Sequence, residues 1–206
     1  MSRPVIVAIV GPSASGKDSL ARGLASFLDR QKTCGAISNT SHLIVSDTTR
    51  PQRPNEHDGV DYNFISQKEF DERDRRKEYI ETYSYGPQCW RYGTPRWELN
   101  AEISVGVFSP SGLEGLDKFC SHAHDIVPVL LDSPKLVRLW RSIKRDKGFK
   151  LEHLRRLRQD DIDFCHPDKV LRFDSYIDMR RQKLSVDESI QMVYNILCSW
   201  GIIHTT

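Results

Sequence analysis

The sequence predicts an α/β fold in which helices flank a parallel, doubly wound sheet. Apolar stretches typical of buried strands alternate along the 206-residue chain with segments of helical periodicity. The first apolar stretch, residues 5–10 (VIVAIV), ends directly before a glycine-rich loop, and a helical pattern follows that loop. The length is sufficient for one α/β domain with small insertions and a substantial core.

Short apolar stretches bounded by turn residues predict the strands. Residues 5–10 are apolar without interruption and residues 103–108 nearly so, as in strands buried on both faces. Residues 78–94 alternate aromatic and polar side chains around Gly86-Pro87, which predicts a hairpin. The remaining strands are predicted at residues 42–45, 62–65, 126–131 and 170–173.

Amphipathic periodicity and capping residues predict the helices. The first follows the glycine-rich loop, over residues 18–30, and Ser66 with Glu69 predicts the start of a surface helix that ends near Lys77. Ser133-Pro134 opens a helix with apolar residues that we expect to be buried on one side. These residues are Leu136, Val137, Leu139, Trp140 and Ile143. Further helices are predicted at residues 97–102, 113–123, 152–164 and 185–200.

The glycine-rich loop carries a specific motif. Residues 11–17 (GPSASGK) fit the Gly-x4-Gly-Lys phosphate loop of a P-loop NTPase-type sheet, although glycine-rich turns also occur there by chance. Glycines let backbone N–H groups face an anion, the helix N-terminus attracts negative charge, and Lys17 adds a cation. Asp18 stands where a magnesium-binding Ser or Thr is expected. The predicted ATP-binding residues are Ser13, Ala14, Ser15, Gly16, Lys17, Asp18 and Ser19.

The composition argues against several classes of protein. Lys and Arg number 30 against 28 Asp and Glu, so the net charge of +2 predicts neither nucleic acid nor a membrane as partner. No long apolar segment or signal pattern is present, and we expect a cytoplasmic protein. The five cysteines are dispersed without a Cys-x-x-Cys pair, which favours reduced thiols over disulfides or zinc. Monomer and homodimer are both left open.

A second loop, residues 48–62 (TTRPQRPNEHDGVDY), has the composition of a phosphate site. Arg50 and Arg53 are each followed by a proline, which makes two rigid guanidinium groups suited to a phosphate dianion. Tyr62 adds a phenolic donor. A solvated basic loop is the alternative interpretation, because most surface arginines bind no ligand.

The same stretch resembles the nucleoside-monophosphate loop of guanylate kinases, with the pattern Ser-x-Thr-Thr-Arg-x-x-Arg, a Glu, and Gly-x-Asp-Tyr. The matching positions are Ser46, Thr48, Thr49, Arg50, Arg53, Glu56, Gly59, Asp61 and Tyr62. The resemblance implies that the GMP phosphate is bound by Ser46, Arg50, Arg53 and Tyr62. Residues 79–81 (YIE) and 92–94 (YGT) resemble two further motifs of that family. They imply that Tyr92 reaches the phosphate and that Glu81 and Thr94 bind the guanine.

A basic cluster resembles the lid of the same kinases. Its members are Arg138, Arg141, Arg145, Arg155, Arg156 and Arg158. In the family, two arginines 11 residues apart close over the transferring phosphoryl group, and Arg145 and Arg156 have this separation. A solvated helix face is the alternative; beside a phosphate loop, stabilisation of a phosphoryl-transfer transition state is favoured. The implied catalytic residues are Lys17, Arg145 and Arg156.

The chain departs from the family pattern at three places. Residues 109–112 (SPSG) stand where the family has Asp-x-Asp-x-x-Gly, so both carboxylates are missing. Asp18 follows the lysine, and Gly-Lys-Asp-Ser also occurs in ribose bisphosphate phosphokinases. Phe173-Asp174 and a basic insertion through Lys183 replace Val-Asn-Asp. We hypothesise that Asp18 replaces a missing acid as metal ligand, and that the hydroxyl-lined pocket admits dGMP or a modified purine nucleotide.

The resemblance runs from residue 5 to about residue 173 and implies one kinase domain over residues 1–206. Its core is expected at residues 1–45, 103–140 and 165–206, with an NMP-binding insertion at about 46–98 and a helical lid at about 141–164. The implied reaction is phosphorylation of GMP or dGMP by ATP with Mg²⁺. The alternatives are a kinase for another nucleotide or a ribose bisphosphate, and a non-catalytic guanylate-kinase-like module that binds proteins.

Overall fold

The computed structural model describes residues 3–86, 88–164, 176–180 and 184–204. The strands are β1 (Val5–Val10), β2 (Ser41–Leu43), β3 (Asp47–Thr48), β4 (Asn63–Phe64), β5 (Tyr79–Tyr85), β6 (Trp90–Pro95), β7 (Ile103–Phe108), β8 (Asp125–Leu130) and β9 (Ile177–Asp178). The helices are α1 (Lys17–Thr33), α2 (Gln67–Arg75), α3 (Pro110–Cys120), α4 (Lys135–Arg145), α5 (Leu151–Asp163) and α6 (Val186–Ser199). Arg96–Glu98 is a 3₁₀-helix.

Five strands form a parallel sheet in the order β2-β7-β1-β8-β9. Val10, at the end of β1, lies between Phe108 of β7 and Leu130 of β8. These strands therefore end at one edge of the sheet, and the segments that follow them meet there. The predicted parallel sheet flanked by helices is confirmed.

Alternate residues of β1 face two separate apolar cores. Val7 and Ile9 pack with the buried faces of α1 and α6, and Ala8 and Val10 pack with α3. This two-sided burial explains why residues 5–10 are apolar without alternation. The helices on both faces fix the position of the loop that follows β1.

A second, four-stranded sheet of order β4-β3-β6-β5 is built from residues between 46 and 98. The predicted hairpin is present as the antiparallel pair β5 and β6. The buried carboxylate of Asp47 accepts hydrogen bonds from Arg73 Nη1 at 2.6 Å, Tyr79 Oη at 2.7 Å and Asn63 Nδ2 at 2.9 Å. One carboxylate thus joins α2, β4 and β5 to β3.

Helix α4 has the reverse of the predicted orientation. Arg138 and Ser142 are buried, whereas Leu136 and Trp140 are 79% and 60% exposed. The prediction that the apolar side is buried is therefore wrong for Leu136, Val137 and Trp140, whereas Leu139 and Ile143 are half-buried. The orientation of α4 follows from the elements that it contacts. It packs beside α5 and the loop after β1, where Arg138 pairs with the carboxylate of Asp160.

Other predicted boundaries also change. The helix predicted at residues 97–102 is only the 3₁₀-turn Arg96–Glu98, and the helix predicted at 113–123 is Pro110–Cys120. It starts early because the Ser109 side chain accepts from Gly112 N and a proline suits the first helical position. The strand predicted at 170–173 lies outside the described residues. No helix in the described part of the chain is long and apolar enough to span a membrane.

The orientation of α4 can be tested by stability. We expect Leu136→Ser to change the free energy of unfolding by less than about 0.5 kcal/mol, because the side chain is already in water. Leu24→Ala, in the core between α1 and the sheet, should cost about 2–5 kcal/mol. Urea unfolding followed by circular dichroism measures both. If Leu136→Ser lowers the free energy of unfolding as much as Leu24→Ala does, the apolar side of α4 is buried as the sequence predicts.

Candidate functional site

A cavity of 610 Å³ opens where the parallel strands end. Its walls are the loop after β1, the second sheet, the start of α3, and helix α5 with the end of α4. Most of the predicted site residues line it: Ser13, Ala14, Lys17, Asp18, Ser46, Arg50, Arg53, Tyr62, Glu81, Tyr92, Arg145 and Arg156. The volume lies in the range of small-molecule sites. Ser15, Gly16, Ser19 and Thr94 are not among its lining residues.

The loop after β1 has the tight turn that its glycines predict. A Cβ on Gly11 would lie 2.0 Å from the carbonyl oxygen of Leu131, and Gly16 has a φ of 109°. Helix α1 begins at Lys17, so its unpaired N–H groups are directed toward the loop. Lys17 Nζ donates to Pro12 O at 2.9 Å, and burial lowers the pKa of this ammonium group. The loop therefore presents N–H donors and one cation to the cavity.

Asp18 is exposed and lines the cavity, whereas Ser19 is exposed outside it and Ser15 is buried. Mg²⁺ in phosphoryl-transfer sites is usually bound through one or two carboxylates, substrate phosphates and water. A single carboxylate at Asp18 fits that donor set. Within the described residues, no group of three or more His, Cys, Asp or Glu side chains could hold a metal ion by itself.

The arginine loop is organised by Glu56. Its carboxylate accepts from both terminal nitrogens of Arg50 at 2.9 Å, and from Arg53 through the backbone N at 2.9 Å and Nη1 at 3.2 Å. Burial opposes a charge on Arg50, but its hydrogen bonds to Glu56 raise its pKa above the ordinary value. Arg50 is 5% exposed and stacks over the rings of Tyr62 and Phe64. The two guanidinium groups are thus held in place at the cavity wall.

Three tyrosines form an aromatic wall beside these arginines. Tyr92 stacks on Tyr83 at 5.0 Å and meets the edge of Tyr62 at 5.8 Å. Burial raises the pKa values of Tyr62 and Tyr83, so both phenols are protonated donors at neutral pH. The sequence reasoning included Tyr62 and Tyr92 but missed Tyr83, whose only signal is its place in the hairpin two residues after Glu81.

Glu81 lines the cavity where β5 meets the start of α3. A Cβ on Gly115 would lie 2.6 Å from Glu81 Cβ, so these two elements touch. Burial raises the pKa of Glu81 to about 7, while the hydrogen bond from Thr94 Oγ1 at 2.8 Å favours the carboxylate. Thr94 is 1% exposed and lies behind Glu81. Next to Glu81 the cavity is lined by the hydroxyls of Ser109 and Ser111, whose Oγ atoms are 3.0 Å apart.

Arg145 and Arg156 are brought to the same cavity although they lie on different helices. Burial and the positive charges of Arg50, Arg145 and Arg156 all lower the pKa of Arg53, which places the four cations within electrostatic range. Arg145 Nε donates to Asp146 at 2.8 Å, and Arg156 Nε donates to Glu152 at 3.0 Å. The cavity therefore concentrates positive charge that suits a highly anionic ligand.

The sequence reasoning also missed Asp160. This residue of α5 is buried, and its carboxylate contacts both Ser13 in the phosphate loop and Arg138 in α4. Asp160, Asp161 and Asp163 are equivalent acids in the sequence, and helical spacing alone does not show which of them faces the loop.

Comparisons with known proteins show which sequences and folds this chain resembles. The guanylate kinase family model matches residues 1–102. The guanylate kinase of Rhodopseudomonas palustris is 31% identical over 137 residues, which cover 65% of this chain and 57% of that protein. The guanylate kinase of Streptococcus pyogenes is 33% identical over 136 residues, 65% of this chain and 59% of that protein. The chain matches less than two thirds of the length of these relatives.

Solved structures show the same fold. The guanylate kinase of Anaplasma phagocytophilum has a TM-score of 0.63 at 20% identity, over 96% of this chain and 87% of that one. An uncharacterized protein of Eubacterium ventriosum has a TM-score of 0.50 at 16% identity, over 95% of this chain and 99% of that one. The chain therefore has a P-loop NTPase-type fold.

The raised pKa of Glu81 predicts a pH-dependent stability difference. The folded protein holds a proton on Glu81 up to about pH 7, whereas the unfolded chain releases it near pH 4.5. The folded state thus binds more protons, so the ionisation of Glu81 lowers stability progressively as pH rises through this interval. Glu81→Gln removes the cost, and we expect the variant to gain up to about 3 kcal/mol over the unaltered chain between pH 4.5 and pH 8. Denaturant unfolding at several pH values measures the free energy of unfolding of both proteins. A difference between them that does not change with pH would contradict the prediction.

Proposed function

We propose, on the premise that the chain is a member of the guanylate kinase family, that it transfers the terminal phosphoryl group of ATP to GMP or dGMP. The observation that carries this proposal is one cavity lined by a phosphate loop, a paired-arginine loop, two lid arginines and a buried carboxylate. The first three bind anions, and the last accepts hydrogen bonds from a base. An isolated phosphate site would require none of the other groups.

The domain organisation follows from the same proposal. Residues 46–98 would form the acceptor-binding subdomain, since the second sheet is built within them. Residues 141–164 would form the lid, which includes the end of α4 and all of α5. The core would comprise residues 1–45, 103–140 and 165–206.

On the donor side, the loop at residues 13–19 would hold the ATP phosphates. The N–H groups at the start of α1 and those of the loop that Asp160 does not hold would bind phosphate oxygens, and Lys17 would stand beside the transferring group. Asp18 would hold Mg²⁺, which when bound supplies positive charge against the phosphate oxygens. The exposed position of Asp18 in the cavity supports this role.

On the acceptor side, Arg50 and Arg53 would bind the monophosphate. Glu56 fixes both side chains before the ligand arrives, which lowers the entropy that binding would otherwise cost. The hydroxyls of Ser46, Tyr62 and Tyr92 would complete the phosphate site. The ligand would also relieve the repulsion that lowers the pKa of Arg53.

At the base end, Glu81 would accept hydrogen bonds from the guanine edge. Thr94 supports this role because its hydroxyl orients one oxygen of Glu81. Ser109 and Ser111 line the cavity beside Glu81 where the family pattern has acids, which favours tolerance of dGMP or a modified purine nucleotide.

The lid arginines would act in the transition state. Phosphoryl transfer requires in-line positioning and neutralisation of charge on the transferring oxygens, with little covalent chemistry by the protein. Arg145 and Arg156 line the cavity from the end of α4 and from α5, so both cations would lie beside the transferring group, and further closure around the nucleotides would exclude water.

Substrate selection tests the proposal directly. ATP with Mg²⁺ is supplied with GMP, dGMP, AMP, dTMP or ribose bisphosphate, and ADP production is measured in a coupled assay. We expect turnover with GMP or dGMP at least about tenfold above the others, as one buried base contact can provide. Equal rates with ribose bisphosphate would favour a sugar kinase, and no turnover with any acceptor would favour a non-catalytic module.

The role of Glu81 gives a pH-dependent prediction. A base donor binds the carboxylate and not the neutral acid, so with a pKa of about 7 the KM for GMP should be about tenfold higher at pH 6 than at pH 8. In Glu81→Gln the KM should rise about 10- to 100-fold and lose this pH-dependent component. Glu78→Gln, outside the cavity lining, is the matched control and should keep the unaltered profile. If the KM for GMP depends on pH in Glu81→Gln as it does in the unaltered chain, Glu81 is not the group that causes this dependence.

Asp18 is tested through the metal. We expect Asp18→Ala to raise the Mg²⁺ concentration needed for half-maximal turnover about tenfold or more, because the carboxylate proposed to hold the ion is lost. Asp18→Asn keeps one oxygen ligand, so its half-maximal Mg²⁺ concentration should lie between those of the unaltered chain and Asp18→Ala. An unchanged magnesium dependence in Asp18→Ala would remove Asp18 as a metal ligand.

A further inference from the structure

Asp160 binds the phosphate loop from the lid. Its Oδ1 and Oδ2 accept from the backbone N of Ser13 at 3.0 and 3.1 Å, and Oδ1 also accepts from Ser13 Oγ at 3.0 Å. Ser13 and Asp160 are 147 residues apart in the chain. The contact therefore joins the loop after β1 to the last turn of helix α5.

A buried arginine completes the contact. Arg138 Nη1 donates to Asp160 Oδ2 at 2.6 Å, and the two side chains are only 4% and 9% exposed. Arg138 also donates from Nε to the carbonyl oxygen of Ser133 at 3.0 Å. Desolvation offsets most of the attraction within such a pair, so stability alone does not explain why both charges are buried. Their effect is to fix α4, α5 and the phosphate loop in one arrangement.

Helical geometry connects this pair to the lid arginines. Asp160 follows Arg156 by four residues, so the two share a face of α5. Arg145 follows Arg138 by seven residues, two turns along α4, and shares its face in the same way. Anchoring Arg138 and Asp160 at the phosphate loop therefore aims Arg145 and Arg156 at the cavity.

We propose that Asp160 is a positioning residue that docks the lid on the phosphate loop and thereby places Arg145 and Arg156 over the transferring phosphoryl group. The inference rests on the proposed phosphotransfer. Arg138 neutralises the Asp160 carboxylate at 2.6 Å, which reduces its repulsion of an incoming triphosphate. A docking role is therefore favoured over competition between Asp160 and ATP for Ser13.

The test compares three variants with the unaltered chain. Asp160→Asn keeps the shape but removes the charge. The double variant Arg138→Met with Asp160→Leu removes the contact to Ser13 without leaving an unpaired buried charge, so it keeps a folded protein for study. Asp161→Asn is the matched control, because this neighbouring acid is 49% exposed and pairs with Lys135. Circular dichroism establishes the folded fraction of each variant, to which all rates are normalised.

We expect kcat to fall about 10- to 100-fold in Asp160→Asn and in the double variant, since misplacement by about 1 Å has effects of this size. The KM for the acceptor should stay within about threefold, because the lid acts after binding. The share of ATP lost to hydrolysis without transfer should rise, which a purely structural role would not cause. Hydrogen exchange of α5 without nucleotide should also accelerate, whereas Asp161→Asn should match the unaltered chain throughout.

Several outcomes would overturn the inference. A lower KM for ATP at unchanged kcat would show that Asp160 competes with the donor. If the folded double variant has the same ratio of ATP hydrolysis to phosphoryl transfer as the unaltered chain, Arg138 and Asp160 have only a structural role. If the unaltered chain transfers phosphate and either of these two results is found, the docking role of Asp160 is wrong and the proposed function stands. If the unaltered chain transfers no phosphate, the proposed function and the inference are both wrong.

Discussion

Repulsion among the arginines around the cavity is the constraint on which the rest of the site depends. Arg53 shows it directly, because burial and three neighbouring guanidinium groups lower its pKa. The structure meets this constraint with carboxylate partners, which are Glu56 for Arg50 and Arg53, Asp146 for Arg145, Glu152 for Arg156, and Asp160 for Arg138. Each carboxylate holds the arginine or arginines with which it pairs in a defined orientation.

These partners differ in what they stabilise. Arg145 is 43% exposed, and its pair with Asp146 contributes little to folding because water screens it. Glu56 and Asp160 are mostly buried and accept backbone N–H groups as well as guanidinium groups, so they fix the path of the chain. The exposed Arg145–Asp146 pair leaves Arg145 free to exchange its carboxylate partner for an anion in the cavity, whereas Glu56 and Asp160 define the frame around it.

The sequence was informative wherever a site is formed by neighbours in the chain. The tight turn after β1 and the position of the two arginines at the cavity wall could be predicted because backbone turns, prolines and spacing act over a few residues. The orientation of α4 could not, because apolar periodicity assumes an apolar neighbour, and this helix packs on a polar loop. Asp160 could not be distinguished from Asp161 either, because both are acids on the same predicted helix. Its role depends on a partner far away in the sequence.

The end of the cavity at Glu81 shows how a departure from the guanylate kinase pattern affects a neighbouring residue. Two acids in place of Ser109 and Ser111 would set like charges beside Glu81 and raise its pKa further. With two hydroxyls there, burial alone brings the pKa of Glu81 to about 7, and the N-terminus of α3 nearby favours the ionised form. A single carboxylate can therefore ionise near neutral pH when a base supplies its hydrogen-bond donors. The two hydroxyls and the lone carboxylate of Glu81 are therefore consistent parts of one electrostatic arrangement, and the proposed role of Glu81 as acceptor for a base depends on it.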